Sequence, residues 1–192
     1  LVTSDRLVRQ GGWDVGKVVP ADNVAYNWAG VPAVGGLYGC TLGLIGLGEV
    51  GTLLARRAVA FGMRVIYNNR RRLAEQREHE IGVAYADMNV LLASADFVTL
   101  CAANLPENER LVDAAALARM QPSAFFVNIS RGRLVDEDAL HDALTAGRVA
   151  GAGLDVHRVE PRPPGDRFAS LANVILTPHL AGGSRRWVLE EV

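Results

Sequence analysis

Three polar side chains in the second half of the chain have types suited to acid–base chemistry on a small carboxylic acid. Arg131, Glu160 and His179 each follow an apolar run that is typical of a buried strand. A histidine exchanges protons near neutral pH, a neighbouring carboxylate orients its ring, and an arginine holds a planar carboxylate through two parallel hydrogen bonds. Together they would suit proton transfer to a 2-oxo acid. Taken singly, they would equally suit a surface charge, a loop residue and a structural cap.

A glycine-rich stretch earlier in the chain has the spacing of a dinucleotide-binding turn. It runs Gly-Leu-Gly-Glu-Val-Gly from Gly46, directly after a buried apolar run and directly before a helical pattern. Gly46 would permit the tight turn, Gly48 a close approach of the backbone to a pyrophosphate, and Gly51 close packing of helix on strand. The N–H groups of Glu49 and Val50 would face the phosphates at the helix N-terminus. The alternative is a plain strand-to-helix turn that happens to contain glycines.

The residues after the second predicted strand bear on which nicotinamide cofactor would bind. An NAD site usually has Asp or Glu there to hold the ribose 2′-hydroxyl, whereas this chain has Asn69, Arg70, Arg71 and Arg72 after Asn68. Asn and Arg side chains suit a 2′-phosphate. The sequence therefore favours NADP(H) over NAD(H), with Asn69 and Arg70 at the 2′-phosphate. The alternative, a solvated basic start to the next helix, best describes Arg71 and Arg72.

Strand and helix patterns alternate over about 135 residues, which predicts an α/β fold of the Rossmann type: a doubly wound parallel sheet with helices on both faces. Ligand groups in such sheets gather at the carboxyl ends of the strands, where the three polar side chains are expected. The predicted strands are 41–45, 64–67, 96–100, 124–128, 151–156 and 173–176, and the predicted helices are 1–10, 50–61, 71–81, 87–93, 114–120 and 136–145.

Composition excludes several classes of protein. The chain has 192 residues, 49% of them hydrophobic, and a net charge of −1, so we expect a folded core and neither a nucleic acid nor a membrane as partner. Cys40 and Cys101 are too few and too far apart for a disulfide framework or a metal knuckle. We therefore predict no metal and a reducing, cytoplasmic location. Lys17, the only lysine, follows no glycine-rich loop, so a Walker-type phosphate site is excluded.

From about residue 41 to 183 the chain resembles the nucleotide-binding domain of the D-isomer-specific 2-hydroxyacid dehydrogenases. The resemblance is carried by the glycine motif and by Phe61-Gly62-Met63, NISRGRLVDEDAL at 128–140, GAGLDV at 151–156, Glu160-Pro161 and TPHLAGG at 177–183. It implies that Arg131 binds the substrate carboxylate and carbonyl, that His179 is the general acid/base and that Glu160 is its partner.

The resemblance also implies further cofactor contacts. Asp155 would lie near the nicotinamide carboxamide, and Asn69-Arg70 looks like the variant found in glyoxylate and hydroxypyruvate reductases of the family. The chain departs from the family after the fourth strand, where Leu100–Leu105 replaces the common LHxPLT, so the wall beside the nicotinamide is expected to differ. The other implied cofactor contacts are Ala102, Ala103, Ile129, Ser130 and Gly182.

Three segments are predicted: a linker helix and extended connection at 1–40, a dinucleotide-binding domain at 41–183 and the start of a C-terminal helix at 184–192. The resemblance implies a homodimer, with Tyr26, Trp28 and Tyr38 buried in the contact or else packed on the domain's own flank. It also implies that most of the substrate domain lies outside this chain. We therefore expect the chain alone to bind cofactor but to turn over slowly or not at all.

The leading functional hypothesis is an oxidoreductase that transfers a hydride between NADPH and a small 2-oxo acid such as glyoxylate or hydroxypyruvate. Two alternatives stay open. One is a non-catalytic, dinucleotide-sensing binding module of the same fold. The other is a related dehydrogenase that acts on formate or phosphite, because substrate choice depends largely on the substrate domain.

Overall fold

The structure, a computed structural model, describes residues 8–11 and 35–182. The chain divides into two compact units, residues 1–36 and 37–192. In the first unit residues 8–10 are helical, as predicted for the end of the helix at 1–10. The rest of that helix, most of the connection to residue 39 and everything after Gly182 lie outside the described residues. The expectations for Tyr26 and Trp28 therefore stay predictions, as do the three segment boundaries.

The second unit is built on a seven-stranded sheet in which all neighbouring strands are parallel, in the order β3-β2-β1-β4-β5-β6-β7. This confirms the doubly wound fold that the alternating pattern predicts. The strands are β1 (Thr41–Ile45), β2 (Arg64–Asn68), β3 (Val83–Tyr85), β4 (Phe97–Leu100), β5 (Phe125–Asn128), β6 (Gly151–Leu154) and β7 (Val174–Leu176), and the helices are α1 (Glu49–Ala60), α2 (Glu75–Ile81), α3 (Met88–Ser94), α4 (Ala114–Leu117) and α5 (Glu137–Thr145).

The strand order reverses between β1 and β4, and a crevice at the carboxyl ends of these strands is where such sheets bind ligands. The backbone N–H of Gly46, just after β1, donates to the carbonyl of Asn68 at 2.9 Å. The N–H of Cys101, just after β4, donates to the carbonyl of Ile45 at 2.8 Å. The ends of β1, β2 and β4 are thus held side by side at one edge.

The central strands are buried because helices cover both faces of the sheet, which is why they read as continuous apolar runs. All five residues of β1 are buried. A Cβ on Gly43 would lie 2.7 Å from Cδ2 of Leu91, so α3 packs directly against this strand. Tyr67 of β2, the strand next to β1, and Phe126 of β5, the strand next to β4, are fully buried. Each belongs to one of two apolar core clusters. The packing of these residues holds the central strands in place, and with them the carboxyl-end edge of the sheet on which the site residues lie.

At the end of the sheet that holds β3, the sequence prediction misses one strand and places the start of one helix wrongly. The strand Val83–Tyr85 was not predicted, because three residues between two helices are too few for an alternating pattern to show. The helix predicted from residue 71 begins at Glu75 instead. Its expected first turn is irregular because the Arg72 side chain folds back onto Glu78.

Two further elements end earlier than predicted. Helix α4 ends at Leu117 instead of 120, because the N–H groups of Arg119 and Met120 bond three residues back and tighten the chain into turns. Strand β6 ends at Leu154 instead of 156, and the chain leaves the sheet at Asp155. Tyr38, proposed above for a dimer contact, is 87% exposed.

Candidate functional site

The glycine loop between β1 and α1 combines two positions that packing restricts to glycine and one that stays open. Gly46 has φ +97°, and a Cβ there would lie 2.6 Å from the backbone nitrogen of Ala102. A Cβ on Gly51 would lie 2.6 Å from the carbonyl oxygen of Gly46. A Cβ on Gly48, by contrast, would have no heavy atom within 4 Å. The open side of Gly48 leaves room for a ligand group close to the backbone.

The N-terminus of α1 adjoins this opening. Gly48 is the N-cap of the 12-residue helix, and no side chain caps it. Glu49 and Val50, the next two residues, are exposed. Uncapped N–H groups and the positive end of the helix dipole favour an anion at this position. The arrangement is therefore suited to the pyrophosphate of a dinucleotide.

Asn69 and Arg70 lie beside the glycine loop, at the end of β2. The Asn69 Oδ1 accepts a hydrogen bond from the backbone N–H of Leu47 at 2.7 Å, which ties this residue to the loop. The Arg70 Nη1 donates to the Glu107 Oε1 at 3.0 Å, with the two side chains 83% and 54% exposed. A pocket of about 580 Å³ is lined by these residues together with Gly46, Ala102 and Ala103. The structure therefore brings five of the predicted cofactor residues around one pocket.

Glu107 is a carboxylate of this pocket that sequence reasoning missed. A backbone hydrogen bond and the neighbouring Arg70 guanidinium hold the pKa of its carboxyl below the usual value. It lies 37 positions from Arg70, so no local spacing could have indicated the pair.

Arg72 is not simply the solvated helix start that its sequence position suggests. Its Nε and Nη2 donate to the two carboxylate oxygens of Glu78 at 2.9 and 2.8 Å, and the hydroxyl of Tyr67 donates to the same carboxylate at 2.6 Å. Arg72, followed by Tyr67, lowers the pKa of Glu78 to about 2. Burial, followed by the bond to Glu78, raises the pKa of Tyr67. This cluster anchors the chain after Asn69 and Arg70.

Asp155 organises the loop that follows β7. Its carboxylate is buried and accepts hydrogen bonds from the Thr177 hydroxyl at 2.6 Å and from the backbone N–H groups of Leu180 and Ala181, each at 2.8 Å. Burial alone would raise the pKa of Asp155, but these donors outweigh it and the pKa is lowered. All three donors belong to the segment that carries His179. The expected contact of Asp155 with a nicotinamide carboxamide stays a prediction.

His179 has an uncommon backbone conformation, with φ +58°. Its N–H donates to the carbonyl oxygen of Asp155 at 2.8 Å, which holds the turn. Non-glycine residues with positive φ are rare and are found preferentially at functional sites.

The His179 Nδ1 lies 2.9 Å from the Glu160 Oε2, so the structure brings these two predicted residues into direct contact. The other oxygen, Oε1, accepts from the backbone N–H of His157 at 2.8 Å. The bond to His179, followed by the bond to His157, holds the pKa of Glu160 below its usual value. Among the described residues, the Nε2 of His179 has no hydrogen-bond partner. Within the described part of the chain, the ring thus has one nitrogen held by a carboxylate and one without a protein partner.

Arg131 lies on a turn that Asn128 shapes. The Asn128 side chain accepts from the N–H of Ser130 at 3.0 Å and donates to the carbonyl of Arg131 at 3.1 Å. Asn128 was missed as a site-shaping residue, although an Asn two positions before a Ser in a turn is a readable signal. The Ser130 hydroxyl also donates to the carbonyl of Ala102 at 2.5 Å, which joins this turn to the nucleotide pocket.

Arg131 is linked to the acid–base pair indirectly, by the contact of its neighbour Gly132 with the backbone of His157. A Cβ on the next residue, Gly132, would lie 2.0 Å from the carbonyl carbon of His157, so the two backbones are in close contact. The guanidinium of Arg131 donates to the carbonyl of Ser130 at 2.7 Å. Within residues 35–182, no hydrogen bond joins it to Glu160 or His179.

The remaining predicted site residues lie at the same edge of the sheet. Ile129 and Asp155 line a second pocket, of about 320 Å³, with residues of the β7 loop. Gly182 is exposed at the end of the described chain. Burial raises the pKa of the Cys101 thiol to about 11, so it is a protonated, apolar group beside Ala102. In the described part of the chain there is no cluster of three metal-binding side chains, and no helix has the length and apolar character needed to cross a bilayer.

Several known proteins are similar to this chain in sequence and in fold. A glyoxylate reductase of Korarchaeum cryptofilum is 42% identical over 184 residues, which are 96% of this chain and 52% of the relative. A crystal structure of a glyoxylate reductase from Paecilomyes thermophila superposes with a TM-score of 0.76 at 33% identity, covering 97% of this chain and 52% of that one. The holo form of Rhodotorula graminis D-mandelate dehydrogenase superposes with a TM-score of 0.77 at 30% identity, covering 93% of this chain and 50% of that one.

The chain therefore spans about half the length of the relatives it matches. The family model for the NAD binding domain of D-isomer specific 2-hydroxyacid dehydrogenases matches residues 1–181, a range that contains the glycine loop, the Arg131 turn and the Glu160–His179 pair. The cofactor of this domain is a nicotinamide dinucleotide, and the chain belongs to the D-isomer specific 2-hydroxyacid dehydrogenase family.

Proposed function

We propose that this chain provides the cofactor site and the acid/base of an NADPH-dependent reductase of small 2-oxo acids, glyoxylate and hydroxypyruvate being the leading substrates. The observation that carries the proposal is the His179–Glu160 contact of 2.9 Å at the sheet edge that also holds the glycine loop. Relatives with the name glyoxylate reductase support the substrate class. For the whole protein, activity and substrate rest on this proposal.

His179 is the proton donor in the proposed reduction. The reduced nicotinamide, when bound, supplies the hydride to the carbonyl carbon. The imidazolium of His179 donates its Nε2 proton to the carbonyl oxygen, while its Nδ1–H stays bonded to Glu160. Because the pKa of Glu160 is lowered, its carboxylate stays ionised, and its bond to Nδ1 orients the ring and leaves Nε2 for the proton transfer. In the reverse reaction the neutral ring accepts the hydroxyl proton.

Arg131 is the proposed cation for the substrate carboxylate. Its guanidinium makes a hydrogen bond only to its neighbour's carbonyl among the described residues, so it can turn toward a ligand without breaking an ion pair. Two parallel hydrogen bonds to a carboxylate would fix the 2-oxo acid with its carbonyl toward His179. Ile129, Asp155 and Gly182 are proposed to line the nicotinamide side of the site.

The proposed preference for NADPH rests on the charges around the pocket at the end of β2. The six residues directly after β2, at 69–74, include no carboxylate, and Asn69 and Arg70 line the pocket. A ribose 2′-phosphate would take the place of the Glu107 carboxylate on the Arg70 guanidinium. That exchange is inexpensive, because an exposed ion pair contributes at most about 1 kcal/mol. The implied homodimer and cytoplasmic location stay predictions.

Steady-state kinetics of the whole protein test this function. We expect turnover of glyoxylate or hydroxypyruvate with NADPH, and a loss of about 100-fold or more in kcat for His179→Asn. The dissociation constant of NADPH is measured for both proteins as the control, and we expect it to stay within about two-fold, since Asn alters the proton donor only. Tight NADPH binding without turnover of any 2-oxo acid would refute the reductase and favour the binding module.

A further inference from the structure

His157 makes three hydrogen bonds that join separate parts of the proposed acid–base site. Its backbone N–H donates to the Glu160 Oε1 at 2.8 Å. Its ring Nε2 lies 2.9 Å from the carbonyl oxygen of Thr177, two residues before His179. Its ring Nδ1 lies 3.0 Å from the Nε of Arg162. The residue itself is buried, and its three bonds are partly buried.

Arg162 determines which nitrogen of the His157 ring carries the proton. A guanidinium can only donate hydrogen bonds, so the Nδ1 of His157 must accept. The proton of the neutral ring is then on Nε2, which donates to the Thr177 carbonyl. If Arg162 were removed, the ring could take either tautomer, and only one of them can make the bond to Thr177.

Arg162 is itself held on several sides, which makes it a fixed support. Its side chain is 12% exposed. It pairs with Glu137 at 3.2 Å and with Asp166, and its guanidinium carbon lies 4.9 Å from the centre of the Phe168 ring. A partly buried cation with two acidic partners and an aromatic face loses little further entropy in holding the imidazole.

We propose that His157, fixed in one tautomer by Arg162, is a positioning residue for the Glu160–His179 pair. Glu160 and His179 are 19 positions apart in sequence. The hydrogen bonds of His157 connect the segment that carries Glu160 with the segment that carries His179. The ring bond to Thr177 complements the bond from the Thr177 hydroxyl to Asp155. This inference rests on the proposed function, because the pair it positions is the proposed acid/base and its partner.

Ring ¹⁵N shifts of the histidines at pH 8 test the inference without any turnover. We expect His157 with protonated Nε2 and His179 with protonated Nδ1, the tautomer that bonding to Glu160 selects. In His157→Phe the ring packing stays but the bond to Thr177 is lost, so His179 shifts toward the Nε2–H tautomer. His157→Gln, whose amide can donate to Thr177, is expected to restore the Nδ1–H form. An unchanged His179 tautomer in His157→Phe would overturn the proposal.

Kinetics of the whole protein provide the second readout. We expect His157→Phe and Arg162→Met to lower kcat by about 10-fold or more with little change in the NADPH dissociation constant, and His157→Gln to recover most of the loss. Full kcat in His157→Phe, with an active wild type, would overturn the positioning role. An inactive wild type would instead refute the proposed function, and the ¹⁵N shifts would still decide the role of His157.

Discussion

Two arginines after β2, only two positions apart, form ion pairs of opposite character. Arg72 meets a Glu78 side chain that is 7% exposed and also receives a bond from Tyr67, whereas Arg70 makes one bond to a Glu107 side chain that is 54% exposed. A carboxylate with several donors in a buried place holds the fold. A single exposed pair can be exchanged for a ligand anion at little cost. The Arg72–Glu78 pair, called the held pair below, therefore stabilises the fold, whereas the Arg70–Glu107 pair, called the open pair, leaves Arg70 accessible to a ligand.

The glycine loop also combines a position that packing restricts, Gly46, with one that stays open, Gly48. A substitution at the restricted position is expected to have the largest effect. Gly46→Ala would put a Cβ 2.6 Å from the Ala102 backbone at φ +97°, so we expect destabilisation by about 2–4 kcal/mol and loss of dinucleotide binding. Gly48→Ala is the matched control, because a Cβ there meets nothing. It should unfold like the wild type and weaken only dinucleotide binding. Denaturant unfolding and nucleotide titration measure both; equal stability of the two variants would contradict the contrast.

The acid–base pair is intermediate, held on one side and open on the other. Replacing Glu160 by Gln removes the charge beside His179 but keeps the size of the side chain. We expect kcat for reduction to fall by about 10–100-fold, because the ring loses the carboxylate that orients it, and the NADPH dissociation constant to stay within about two-fold. Steady-state kinetics of the whole protein and a parallel NADPH titration check this. An unchanged kcat would show that the carboxylate does not act on the ring.

The held pair should respond to acid. The pKa of Glu78 is lowered to about 2, so its contribution to stability is fully present above the ordinary glutamate pKa and is lost as the pH falls toward 2. Arg72→Met removes the main cause of that shift. We expect a melting temperature a few degrees below the wild type at pH 7 and a difference that shrinks below pH 4. A difference independent of pH would assign the effect to packing instead of charge.

The open pair gives the smallest effect. Glu107→Gln removes the carboxylate that competes for Arg70, so we expect NADPH binding to tighten by about 2–5-fold and NADH binding to stay the same. Calorimetric titration at low and high salt measures the change, which should shrink as salt screens the charges. Weaker NADH binding in this variant would mean that Glu107 holds the ribose hydroxyl.

The sequence predicted the sheet well because its signals are local. Continuous apolar runs marked β1 and β4, and the spacing of Gly46, Gly48 and Gly51 marked the turn between β1 and α1. The strand β3 was missed because it is too short for a pattern. The start of α2 was misplaced because the bond between Arg72 and Glu78 overrides helical periodicity.

The site was predictable where the residue type and motif themselves indicate the chemistry, and unpredictable where a partner comes from a distant segment without a motif. Histidine and glutamate after two strands suggested acid–base chemistry, and the structure places Glu160 and His179 in contact. Glu107 beside Arg70 and Thr177 beside His157 come from distant segments, so spacing carries no information about them. Such partners can be identified only from the three-dimensional structure, in which the ends of the strands lie side by side.

The central claim is that this chain binds NADPH at the glycine loop with Asn69 and Arg70 at the 2′-phosphate. Parallel calorimetric titrations of the chain with NADPH and NADH, repeated on Arg70→Met, test it directly. We predict about ten-fold or tighter binding of NADPH than of NADH, and loss of that preference in the variant. Binding of NADH as tight as that of NADPH, or a preference unaffected by the loss of Arg70, would contradict it.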